Sequence, residues 1–185
     1  MSRFDSPEHV EHWQATGIYP RIHDDITHMA MSHLNENRVM DLCCSTGLLG
    51  HRLQKALGLE LVLSVDASNT ALETGTAAGL IRDGHQLRVD RHTLPQLMGL
   101  IAKHQVRAII GRRCMPELFG NSPDLGTLFA ECVAGAGVKQ IFLEGRVASV
   151  NAVNALSSID DEVELFAGHY KDRYRNRNVA VLVRQ

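Results

Sequence analysis

The chain has 185 residues, 44% apolar and 22% charged, with a formal net charge of -2 at pH 7. This is the composition and size of one globular domain, which buries roughly two-thirds of its unfolded-chain surface and needs no disulfide or metal to fold. The slight acidity argues against general nucleic-acid binding, no apolar run reaches the ~18 residues of a membrane span, and MSRFDSPEHVEHW lacks the apolar core of a signal peptide.

Residues 1–37 hold six acids, two arginines and five of the ten histidines. Helical stretches are expected around Pro7 to Gln14 and His23 to Leu34, broken by Gly17 and Pro20. The segment is expected to be a helical cap outside the core. Arg38 to Cys44 reads as a buried strand. Leu48, Leu49, Leu53 and Leu57 then fall at helical spacing, with Gly58 as C-cap. Leu59 to Val65 is a second buried strand ending at Asp66. Thr70 and Glu73 predict a capping box. Gln86 to Val89 is a weaker strand, Leu94 to His104 a helix with Pro95 in its first turn, and Val106 to Ile110 a strand. Pro123 to Val133 is a helix closed by Gly135 and Gly137, Val138 to Leu143 a strand, and Ala148 to Leu156 a helix. Glu162 to His169 and Asn178 to Arg184 predict an antiparallel hairpin around the polar stretch Tyr170 to Arg177, since no crossover helix fits between them. Five βα steps and a hairpin give a three-layer α/β/α sandwich, its seven-stranded sheet mostly parallel and ending in that hairpin.

Open α/β sheets bind ligands beyond the carboxyl ends of their strands, where strand order reverses. The first strand ends in Asp41-Leu42-Cys43-Cys44-Ser45-Thr46-Gly47-Leu48-Leu49-Gly50, small residues followed by a helix start with unpaired N–H groups. Asp66 stands 25 residues after Asp41, where a carboxylate can accept both hydroxyls of a ribose. The alternative is that the small residues serve packing and Asp66 caps the next helix. A dinucleotide site would want Gly-x-Gly-x-x-Gly, and the first glycine is missing.

Val39 to Gly50 resembles motif I of the class I S-adenosylmethionine-dependent methyltransferases, with Cys43 and Ser45 where the first two glycines are usual. The resemblance covers residues 38 to 185, a Rossmann-like domain after the cap, and extends to the final hairpin, whose last strand in that family inserts antiparallel beside the fifth. It implies S-adenosylmethionine as cofactor. Asp41 would face the methionine amino group; Cys43, Ser45, Thr46 and Gly47 would line the methionyl and ribose portions. Asp66 would take the ribose hydroxyls with Ala67 against the adenine, and Asp90 would meet the adenine amino group, unless Asp90 is a helix cap. The function expected is methyl transfer to a small-molecule acceptor. The alternative is a catalytically silent protein of this fold acting through a protein partner.

Strand four runs into Gly111-Arg112-Arg113-Cys114-Met115-Pro116, without the Asp/Asn-Pro-Pro-aromatic run of base-directed amino methyltransferases. Cys114 lacks the proline that precedes a cytosine-directed nucleophile and reads as a buried small residue. Arg112, given room by Gly111, predicts an anionic acceptor, or else pairs with Glu117 or Glu144. Tyr19, ahead of strand one, and Glu144, ending strand five, are the other candidates for the acceptor side. His9, His12, His28 and His33 are expected to face solvent, so no metal site is read. The basic run His169 to Arg177 reads as a solvated turn. Cys43, Cys44, Cys114 and Cys132 show no CxxC spacing, which predicts a reduced, cytoplasmic setting.

Overall fold

The structure, a computed structural model, describes residues 18–145, 156 and 158–185, with side chains from residue 26 onward. Its seven strands are β1 (Arg38–Leu42), β2 (Leu61–Asp66), β3 (Asp83–Gln86), β4 (Ala108–Arg112), β5 (Gln140–Glu144), β6 (Tyr170–Arg175) and β7 (Val179–Arg184). The helices among the described residues are α1 (Ile18–His33), α2 (Leu48–Leu57), α3 (Asn69–Ala77), α4 (Leu94–Lys103), α5 (Met115–Phe119), α6 (Pro123–Gly135) and α7 (Ile159–Glu164). The strands form one sheet in the order β3-β2-β1-β4-β5-β7-β6. β1 through β5 are parallel, and β7 inserts antiparallel between β5 and β6.

The apolar runs of the central strands are buried on both faces, as a covered parallel sheet requires. Met40, Leu42, Leu63, Val65, Ile109 and Ile141 face one layer, where Leu97 and Ile101 of α4 and Phe129 and Val133 of α6 pack. Val39, Val62, Ala108, Ile110 and Phe142 face the other, against Ile26, Met29 and Ala30 of α1 and Leu49 and Leu53 of α2. The three-layer sandwich with an antiparallel end is the architecture expected.

Several local expectations are corrected. Pro20 does not break a helix: it sits in the first turn of α1, where no N–H is needed. Ile26, Met29 and Ala30 are buried in the core, so the second half of α1 is a sheet-covering layer and not a cap outside it. Residues 1–17 lie outside the described residues, as does nearly all of the helix expected at 148–156. The box expected at Thr70 and Glu73 is replaced by Ser68, whose hydroxyl accepts from Ala71 N–H at 3.2 Å. β3 comes three residues earlier than expected, with Asp83 to Gln86 paired to Leu63 to Asp66 of β2.

The hairpin is also displaced. Ser158 and Asp161 make a full capping box that opens α7, so Ile159–Glu164 is helical and the first hairpin strand starts at Tyr170. β6 is the polar run that read as a turn; only Tyr170 of it is buried. An outer strand needs one covered neighbour, and the valine-rich β7 supplies the apolar face. Gly58 caps α2 as expected, with a left-handed φ of 65° and its N–H bonded to Gln54 O. No described helix is long and apolar enough to cross a membrane.

Candidate functional site

Strand order reverses between β1 and β4, because the chain runs outward through β2 and β3 before returning to pair β4 with β1. The carboxyl end of β1 opens there into the turn Cys43–Gly47, which leads to α2. Three alternate residues of that turn are left-handed: Cys43 at φ 57°, Ser45 at 51° and Gly47 at 74°. Glycine adopts this conformation freely and other L-residues do so at a cost of roughly 1–2 kcal/mol each. The backbone therefore follows a path suited to glycine at all three positions, although only Gly47 is one. A Cβ on Gly47 would also stand 2.3 Å from Ile81 Cγ1.

Four backbone N–H groups hold the strained turn. Cys44 N–H donates to Val65 O at 3.2 Å and Gly47 N–H to Cys44 O at 2.9 Å. Ser45 N–H donates to Asp66 Oδ2 at 2.8 Å, and Gly50 N–H to Asp41 Oδ2 at 2.9 Å. The Cys43 side chain packs against the core and hydrogen-bonds the thiol of Cys114. Cys114 is buried, and that hydrogen bond, with burial second, holds its thiol well above the ordinary range. It is a packing residue, not a thiolate nucleophile.

Asp41 is buried at the end of β1 and its carboxyl is pushed up to about 7. Burial is the main cause; the Gly50 N–H opposes it, the negative Asp66 adds to it, and the Arg112 guanidinium opposes it. Asp66 is half-buried. Besides Ser45 it accepts the Ser68 N–H at 2.8 Å through Oδ1, so both oxygens are oriented by backbone. Ala67 beside it is exposed and Thr46 is buried. Asp90 Oδ1 accepts the N–H groups of Thr93 at 3.0 Å and His92 at 2.8 Å in the turn before α4, which lowers its pKa. Asp90 therefore orders the turn that leads into α4, whose N-cap residue is Thr93.

Arg112 and Glu144 are register partners at the ends of β4 and β5. Glu144 is buried; Arg113 Nε donates to its Oε1 at 2.9 Å, and Arg112 Nε lies 3.7 Å from Oε2. Arg113 N–H also donates to Glu144 O at 2.7 Å, from a left-handed residue. The carboxylate alternative for Arg112 is realised at Glu144. The space expected beside Gly111 is filled: a Cβ there would meet Met115 Cε at 2.7 Å and Cys114 Sγ at 3.2 Å.

The structure thus gathers Asp41, Cys43, Ser45, Gly47, Asp66, Arg112 and Glu144 at one end of the sheet, around the switch point. Tyr19 lies in the first turn of α1, and its side chain is outside the described residues. The sequence reading missed Glu162, which is buried and stands near Gly145, a Cβ at the latter lying 3.5 Å from Glu162 Oε1. The signal was available in Ser158-x-x-Asp161, which makes the stretch a helix and not a strand.

No protein-family model matches the chain, and no curated protein matches it in sequence. Solved structures do. Monomeric WbdD superposes with a TM-score of 0.64 at 14% identity over 89% of this chain, which spans only 41% of that protein. WbdD is described elsewhere as a bifunctional kinase-methyltransferase. Magnesium protoporphyrin IX methyltransferase (ChlM) from Synechocystis PCC 6803 with bound SAH gives 0.64 at 13% identity, over 90% of this chain and 84% of that one. The sugar N-methyltransferase KedS8 from Streptoalloteichus sp ATCC 53650 gives 0.69 at 9% identity, over 100% of this chain and 95% of that one. By sheet order, by the antiparallel insertion of β7 and by these likenesses, the chain has the class I S-adenosylmethionine-dependent methyltransferase fold.

Proposed function

We propose that the protein is an S-adenosylmethionine-dependent methyltransferase whose small-molecule acceptor carries an anionic group. The observation that carries the cofactor reading is the Cys43–Gly47 turn, left-handed at three alternate residues and set between the Asp41 and Asp66 carboxylates at the switch point. A strained turn of this kind persists where surrounding bonds fix it, and here two of the four bonds come from the two acids themselves.

The residues present fit the cofactor. Asp41 would meet the methionine ammonium, and an approaching cation favours the ionised form of a carboxyl that burial has raised. Asp66, held in plane by the Ser45 and Ser68 N–H groups, would accept the ribose hydroxyls. Cys43, Ser45, Thr46 and Gly47 would offer backbone along the methionyl and ribose portions, and Ala67 and Asp90 would border the adenine. When bound, the cofactor supplies an electrophilic methyl group on a sulfonium whose leaving group is neutral, so alignment and water exclusion are the protein's main contributions.

The anionic acceptor rests on charge. Two guanidiniums, Arg112 and Arg113, meet at Glu144 at the ends of β4 and β5, and each carries the planar fork that matches an oxyanion. Such a corner suits a carboxylate or phosphate lying near the methyl group. Glu144 positions the two arginines, and Tyr19 is placed by chain order alone. The test is SAH formation from S-adenosylmethionine across a panel of small acids and their neutral amides or esters. Turnover confined to the acids supports the reading, and turnover confined to the neutral members contradicts the anionic acceptor.

A further inference from the structure

We propose that Asp83, His85 and His104 form a binding site for a divalent transition-metal ion of the zinc type, at the outer edge of the sheet. β3 is the edge strand and its sequence, Asp83-Gly84-His85-Gln86, contains no apolar side chain. Asp83 and His85 are two apart and so share a face. Their register partners, Leu63 and Val65, pack toward the α4 layer, and His104 follows the last residue of α4. Chain direction therefore returns His104 to the same face that the two β3 residues present.

The three side chains converge. His85 Nε2 lies 3.0 Å from Asp83 Oδ1, and His104 Nδ1 lies 3.2 Å from Asp83 Oδ2. One ligand atom from each residue falls within 4.8 Å of the others, and the imidazole centroids are 5.7 Å apart at 67°. A tetrahedral ion with bonds near 2.05 Å sets its ligands about 3.3 Å apart, so small side-chain shifts bring all three into contact with one ion. His104 Nε2 is buried without a hydrogen-bond partner, which leaves the polar contacts of that ring on the Asp83 side. Asp83 and His85 are about 30% exposed, so water reaches the cluster and can take a fourth position. Two neutral imidazoles and a carboxylate form a donor set suited to zinc, and the neighbouring chains are already fixed, β3 by its ladder to β2 and His104 by Arg38 Nε, which donates to its carbonyl at 2.8 Å.

A hydrogen-bonded carboxylate shared by two histidines accounts for the same distances without an ion, and titration separates the two. Metal-free full-length protein is titrated with Zn²⁺ against a chromophoric chelator, and separately with Co²⁺ by absorption. The expected result is a dissociation constant tighter than about 10 µM, weakened at least tenfold in both His85→Ala and His104→Gln and unchanged in His28→Ala. Far-UV circular dichroism confirms that each variant is folded. The Co²⁺ spectrum should show ligand-field bands without a thiolate charge-transfer band. Affinity weaker than 10 µM, a loss under tenfold in either folded variant, or a thiolate band would overturn the proposal.

Discussion

Asp66 accepts the backbone N–H of Ser45 at 2.8 Å, so the acid that ends β2 holds the turn that ends β1. One side chain thus shapes the loop and, in the proposed function, contacts the ligand within it. Asp66→Ala should weaken SAH binding by roughly 1.5–3 kcal/mol, the range for a hydrogen bond to a charged group. It should also lower stability, because Ser45 and Ser68 N–H lose their acceptor. Calorimetry and urea unfolding on the same variant read the two effects separately, and an unchanged SAH affinity would remove Asp66 from the site.

The left-handed φ of 51° at Ser45 gives a second prediction. Ser45→Gly should change stability by less than about 1 kcal/mol, since relief of strain offsets the entropy of the freer unfolded chain. Ser45→Val should cost about 1–3 kcal/mol, because a β-branched side chain tolerates that conformation least. Urea midpoints of equal value for the two variants would show that the turn does not hold this conformation in solution.

Asp41, raised to about 7 in the folded chain, makes both stability and binding depend on pH. Its folded pKa lies above the unfolded value, so the folded state holds the extra proton. The resulting stability is fully present below about pH 4 and is lost as pH rises through 7, by roughly 4 kcal/mol at the full shift. Asp41→Asn should therefore raise the melting temperature at pH 8 while abolishing most SAH affinity. In the wild type, SAH should bind about tenfold more weakly at pH 6 than at pH 8, since the ligand ammonium needs the ionised acid. A flat affinity profile over that range would sever Asp41 from the ligand.

Arg112 lies 3.7 Å from the buried Glu144, which Arg113 also holds at 2.9 Å. Arg112→Ala should leave SAH affinity nearly unchanged and lower turnover on an anionic acceptor at least tenfold, about 1.4 kcal/mol of transition-state stabilisation. Glu144→Ala should instead act on stability, by about 3–5 kcal/mol, because it removes the buried carboxylate that both guanidiniums meet. Kinetics on the first variant and thermal unfolding of the second keep the two roles apart.

The layer order was legible because β1, β2, β4 and β5 are short, largely apolar runs separated by helical spacing, and Gly58 marks a helix end in sequence as in space. β6 was not legible: its polar side chains carry no period-2 pattern, and its place follows from the ladder to β7. Asp41 and Asp66 could be singled out by spacing alone. What spacing does not carry is strain and pairing. The left-handed backbone at Cys43 and Ser45, the packing of Met115 into the space at Gly111, and the clamp of Glu144 on two arginines all arise from tertiary contacts. The same holds for His104, which meets Asp83 and His85 of β3 only because α4 returns to the edge of that strand.

Titration calorimetry of the full-length protein with SAH at pH 8 tests the central claim most directly. The account predicts one site per chain in the micromolar range, about -7 to -9 kcal/mol, with heat that disappears in Asp41→Asn. Absence of both heat and thermal shift at millimolar SAH in the folded wild-type protein would contradict it.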